Sequence, residues 1–127
     1  MVLGEIMTEI PPAAGKITIA PEVLSTIAQL TTQNITGVSR LSQEPADGIR
    51  GILKRSGSQE GVYIHVQDDT VNADIHVILQ KDVNVREVSR NIQTSVARAI
   101  SEMVGMRVGR INIHIDDIDY QTEFEES

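Results

Sequence analysis

The chain contains neither cysteine nor tryptophan. Without thiols it holds no disulfide, no thiolate zinc site and no cysteine nucleophile, an absence that suits a reducing compartment. Its aromatic residues are Tyr63, Tyr120 and Phe124, too few for the stacking platforms of single-strand nucleic acid binders. No apolar run reaches the roughly 18 residues of a membrane-spanning helix. The start, MVLGEIMTEIPPAAG, lacks the basic-then-apolar order of a secretory signal and reads as a loose tail over residues 1–14. Lys and Arg are missing from Ile111 onward, where Asp116, Asp117, Asp119, Glu123, Glu125 and Glu126 stand. Those six account for most of the net charge of −7, so the rest of the chain is nearly neutral and residues 119–127 read as an acidic tail. No phosphate-cradling Gly-rich loop with a following Lys-Ser/Thr is present. The serines and histidines form no nucleophile motif, and the carboxylates gather at one end instead of across a cleft. The expectation is a protein without catalytic residues, cofactor or metal.

At 127 residues the chain is long enough for one domain with a continuous core, placed at residues 15–118. The firmest pattern is strand, helix, strand over residues 70–116. Val71, Ala73, Ile75, Val77 and Leu79 alternate with Asn72, Asp74, His76 and Gln80, Ile78 interrupting the polar set. Val85, Val88, Ile92, Val96, Ile100 and Met103 then fall three or four apart, one helix stripe. Asn84 with Glu87 has capping-box spacing, Val83 and Val88 the places of a hydrophobic staple, and Gly105 a left-handed stop. Val and Ile are mediocre helix formers, so packing must hold this helix. Six such side chains, at about 1.5–3 kcal/mol each when buried, give on the order of 10 kcal/mol. Alternation returns at Ile111, Ile113 and Ile115. If the two strands are neighbours, the helix is a crossover and they run parallel.

Upstream, Gly15–Ala20 alternates as a short strand with Ile17 and Ile19 on one face. Pro21 opens a helix with Val23, Leu24, Ile27, Ala28 and Leu30 as its stripe, ending near Asn34 and Gly37. Val38–Leu41 is a further short strand, Asp47–Leu53 a short helix, and 56–61 a loop. Val62–Gln67 is a strand, and Asp68-Asp69 turns it back so that Val66 faces Val71, Ile64 faces Ala73 and Val62 faces Ile75. The fold class is α/β (α+β): a single small domain in the order β-α-β-β-β-α-β, a mixed sheet with two main helices on one face. The other face carries Tyr63, His65, Asn72, Asp74, His76, Asn112 and His114.

The segments Gly15-Lys-Ile-Thr-Ile-Ala-Pro-Glu-Val23, Asp47-Gly-Ile49, Ala73-Asp-Ile-His-Val-Ile78, Val83-Asn-Val-Arg-Glu-Val88, Ser101-Glu-Met-Val-Gly-Met106 and Ile111-Asn-Ile-His-Ile115 together resemble the alkaline shock protein family. These are the envelope stress response proteins of Gram-positive bacteria, and the match covers about residues 15–118. Gln80-Lys81-Asp82 stands where the family often has Tyr-Gly. The resemblance implies a cytoplasmic, non-enzymatic protein that forms homo-oligomers. It also implies, as in some members, attachment at the inner face of the membrane by an integral membrane partner, and a role in cell-envelope homeostasis.

Two surfaces present themselves for partners. Arg86, Arg90 and Arg98 lie on the polar side of the second helix, and His76, Asn112 and His114 on the polar sheet face. His65 pairs opposite Asn72, which sets it about 13 Å along the sheet from His76, too far for shared metal ligation. His76 and His114 can lie closer, with Asp74 or Asp116 nearby, but solvated strand residues are the default reading. As an alternative, Gly48-Ile-Arg-Gly51 with Lys54 and Arg55 has the pattern of the GxxG loop in KH-type RNA-binding modules. The acidic charge and scarce aromatics weigh against nucleic acid.

Overall fold

The computed structural model describes residues 15–42, 58–59 and 61–120. Helix α1 spans Pro21–Gln33, followed by strands β1 (Val38–Leu41), β2 (Ser58–Gln59), β3 (Val62–Gln67) and β4 (Thr70–Gln80), helix α2 (Val85–Val104) and strand β5 (Arg107–Asp119). The class is α+β, with five strands in one mixed sheet and both helices packed against it. No helix among the described residues is long and apolar enough to cross a membrane.

β4 is the centre of the sheet. Along one edge β5 runs parallel to it over its full length. Along the other edge β3 pairs antiparallel with its first half and β1 with its second, while β2 extends the sheet beyond β3. The parallel pair follows from the connection, since returning a strand in the same direction needs a crossover of a dozen residues or more, here α2. The hairpin register is the one anticipated: Val66 opposite Val71, Ile64 opposite Ala73, Val62 opposite Ile75. Asp68 and Asp69 both take positive φ, 54° and 63°, as a two-residue turn between right-twisted strands requires.

β1 and β3 meet beside His76. The His76 N–H donates to the Gly61 carbonyl at 2.7 Å, and the Ser42 N–H donates to the His76 carbonyl at 2.9 Å. Segments on either side of residues 43–60 are therefore tied to one residue of the central strand. Gly61 has φ 72°, and a Cβ there would lie 2.8 Å from both the His76 and Ser42 carbonyl oxygens.

Alternate β4 residues Val71, Ala73, Ile75, Val77 and Leu79 form the floor of the core, each fully buried. Val88, Ile92, Val96 and Ile100 of α2 and Leu24, Ile27 and Ala28 of α1 cover them. The α2 caps match the sequence. The Glu87 N–H donates to Asn84 Oδ1 at 2.9 Å, and Gly105 closes the helix at φ 77°.

Four expectations need correction. Residues 16–20 form no strand; no described strand pairs with them and Ile17 is 91% exposed, because alternation without a partner satisfies no backbone group. Val85 and Met103, the ends of the α2 stripe, are exposed. At about 1.5 Å per residue the 20-residue α2 is some 10 Å longer than the 13-residue α1 beside it, so its ends overhang. Val23 and Leu30 of α1 are also exposed, while Ser25 and Thr32 are buried. That helix packs against both the sheet and α2, and its contact face is turned toward 25 and 32. Finally, the segment anticipated as loop at 56–61 contributes β2. The short helix expected at 47–53 lies outside the described residues.

Candidate functional site

Pleating sends the even-numbered residues of β4 to the face away from the helices. The two registers then fix their neighbours: Tyr63 beside Asp74 and His65 beside Asn72 on β3, Asn112 beside Asp74 and His114 beside His76 on β5. A polar cluster results, and no described helix lies over it.

Asp74 is its hub. Asn112 Nδ2 donates to Asp74 Oδ1 at 3.1 Å, and His114 Nε2 lies 3.0 Å from the same oxygen. His65 Nε2 stands 3.9 Å from Asp74 Oδ2. Partial burial pushes the Asp74 carboxyl up, but hydrogen bonds with His114 and Asn112 and attraction by His114 and His65 outweigh it, leaving its pKa below the ordinary 3.8. An ionised carboxylate only accepts, so the His114 nitrogen facing it carries the hydrogen. The His114 and His76 rings stack at 4.3 Å with planes 13° apart, and Tyr63 meets His76 edge-on at 5.6 Å. His76 Nδ1 lies 3.2 Å from Asp116 Oδ2. Asp116 is the extra residue of a bulge between Ile115 and Asp117, the device by which a strand re-aims one side chain.

At the far end of β4 the same face is closed by an ion pair. Asp119 Oδ2 accepts from Ser39 Oγ at 2.6 Å and from Arg40 Nη1 at 3.2 Å, joining β1 to β5 across β4. This strap crosses near Ile78, which is 9% exposed despite lying on the polar face. Asp116, Asp117 and Asp119 thus belong to the sheet, and β5 reaches the first residue of the anticipated acidic tail.

His76, Asn112 and His114 come together as the sequence suggests. Arg86, Arg90 and Arg98 are exposed on α2, in the layer behind the sheet, so the two candidate surfaces are separate. Gly48, Arg50, Gly51, Lys54 and Arg55 lie outside the described residues. Among the described residues no three His, Asp or Glu side chains converge as a metal cage. The two stacked rings serve different carboxylates. Asp74 and Tyr63 were readable on this face from the hairpin register alone. Asp116 was anticipated only as one of two acids near His76 and His114, and its contact with His76 depends on a bulge, which leaves no trace in alternation.

The family model described as alkaline shock protein 23 family, cell envelope-related function, matches residues 9–120. The chain is similar to Spy1535 of Streptococcus pyogenes serotype M6, 36% identical over 106 residues, covering 82% of this chain and 79% of that one. It is also similar to YqhY of Bacillus subtilis (strain 168), 27% identical over 112 residues, covering 88% and 83%. Both relatives are described as uncharacterized. Among solved structures, two variants of the MamM CTD superpose with TM-scores of 0.47 and 0.48 at 10% identity, covering 76% and 77% of this chain and 95% and 96% of theirs. The family match gives no support to RNA binding through the GxxG pattern. The residues quoted above for the alkaline-shock resemblance lie within the matched range, and the chain belongs to this cell envelope-related family.

Proposed function

We propose that the protein is a non-catalytic scaffold of the cell envelope, acting at the cytoplasmic side of the membrane through self-association and a membrane-anchored protein partner. The observation that carries this reading is the polar cluster on the sheet face. Asp74, His76, His114, Asn112 and Asp116 are fixed by one another before any partner arrives, and groups already held in place lose little freedom on binding. Carboxylates accept and imidazoles donate across an open surface, which suits a polar protein surface better than a small molecule in a cleft. The family's envelope-related description gives the setting.

Affinity capture from native membranes tests it. Wild type, a His76→Ala/His114→Ala protein and an Arg86→Ala/Arg90→Ala/Arg98→Ala protein are compared at equal loading, each with its melting temperature checked. Loss of a membrane protein from the histidine variant alone is the expected result. Equal recovery by all three, or loss with the arginine variant alone, would show that the sheet face does not hold the partner.

A further inference from the structure

β5 is the long free edge of the sheet. Among the described residues it pairs with β4 on one side and with no strand on the other. Proteins usually blunt such an edge with charges and bulges, and β5 has both. Their placement is roughly symmetric about Ile113.

Reversed end for end around Ile113, Arg107 exchanges with Asp119, Val108 with Ile118, Arg110 with Asp116, and Ile111 with Ile115. In these four pairs basic residues change places with acidic ones and apolar residues with apolar ones, while Asp117 falls on Gly109. The irregularities lie on either side of Ile113 at roughly mirrored places. One register shift falls between Val108 and Ile111, the other between Ile115 and Asp117. The helix-side residues of β5 are Val108, Ile111, Ile113, Ile115 and Ile118, paired with or beside the buried residues of β4. Only Ile111 among them is buried; the other four are partly covered.

The geometry points to this edge as the seat of a second copy of the chain, its β5 antiparallel to the first across a two-fold axis at Ile113. This inference rests on the self-association reading above and says which surface performs it. A two-fold interface must be self-complementary, and this strand is so in these four pairs and roughly so in bulge position. A parallel partner in the same register would set Arg110 against Arg110 and Asp116 against Asp116. The charges therefore select the antiparallel mate.

Two features of the edge bear on the fit. Gln93 of α2 donates through Nε2 to the Ile111 carbonyl at 2.9 Å, and a carbonyl oxygen has a second lone pair for an incoming N–H. Beside it lies a shallow groove of about 340 Å³ lined by Gln93, Thr94, Ala97, Gly109 and Ile111. In the antiparallel alignment Ile115 of the second copy falls opposite Ile111, at the mouth of that groove. Asp116 and Asp119 already meet His76 and Arg40 within the chain, and a carboxylate accepts several donors at once. On the other face the polar clusters of the two copies would join into one surface.

Charge reversal with mixing provides the test, read by sedimentation velocity over a concentration series at low salt. Arg110→Asp alone places two carboxylates together at both ends of the pairing, and Asp116→Arg alone places two guanidinium groups there. Each single variant is expected to dimerise at least about tenfold more weakly than wild type, from two exposed attractions turned to repulsions. An equimolar mixture restores both pairs and should return to within about threefold of wild type. A misfolded variant could not be rescued this way. As a second measurement, Ile113→Cys in this otherwise cysteine-free chain should give a disulfide-linked dimer on mild oxidation, and Gln67→Cys on β3 should not. Dimeric wild type with single variants that dimerise equally well, or with no rescue on mixing, would overturn the β5 edge and leave self-association standing. A wild type that stays monomeric at every concentration would overturn self-association itself.

Discussion

Gly61→Ala is a sharp test of the fold, because two separate costs meet at one residue. Gly61 sits at φ 72°, where an L side chain costs about 1 kcal/mol. A Cβ there would also lie 2.8 Å from the His76 and Ser42 carbonyl oxygens and 3.2 Å from the Ser42 nitrogen. All three are backbone atoms, so no side chain can swing aside. Relief requires the chain to shift and weaken the Gly61–His76 and Ser42–His76 hydrogen bonds, worth about 1 kcal/mol each and more if left unsatisfied. The total is about 3–4 kcal/mol. For a domain of this size that lowers the melting temperature by about 12–16 °C, at about 4 °C per kcal/mol. Gly105→Ala is the matched control: it has φ 77° but nothing within 4 Å of the added carbon, so it should cost only the backbone term, about 1 kcal/mol and about 4 °C. Far-UV circular dichroism melts of the two variants decide the matter. Equal losses would refute the reasoning that the strands meet tightly at His76.

Ile92→Asp places a carboxylate in the middle of α2 where the side chain is fully buried; it should leave no cooperative melt, and a normal melting temperature would disprove the core. Thr32 is buried with its hydroxyl unpartnered, so Thr32→Val should raise stability by about 1 kcal/mol, read from urea titration midpoints. Asp74 has a carboxyl held below its usual pKa, so its contribution is present above the unfolded value and is lost as pH falls through the lowered folded value. Asp74→Asn should therefore melt below wild type at pH 7, with the gap closing as the pH is taken below about 4. A gap that stays constant into acid would contradict the ionised hub.

Much of the fold was legible because local and pairing signals agreed. The β3–β4 register follows from apolar alternation on both sides of a two-residue Asp turn, and α2 carries its own start and stop in Asn84 and Gly105. The parallel placement of β5 follows from the crossover. What escaped depends on segments far apart in the chain. Residues 15–20 alternate like a strand, yet a strand exists only where another offers hydrogen bonds. The joint at His76 brings Ser42 and Gly61 to one peptide unit, a meeting that no local pattern encodes. Of the site, His76, Asn112 and His114 were placed together by parity alone, whereas Asp116 reaches His76 through a bulge. The arginines of α2 and the histidines of the sheet share one strand–helix–strand stretch in sequence. In space they stand in different layers.

If the polar sheet face meets a membrane-anchored partner, as proposed, residues on that face will crosslink to it in the membrane. A photo-reactive residue introduced at Asn112, in the middle of that face, and another at Arg90, on the exposed side of α2, test it in intact native membranes. Crosslinks from position 112 to a membrane protein, with none from position 90, are the predicted result. Crosslinks to a membrane protein from position 90 alone would contradict it.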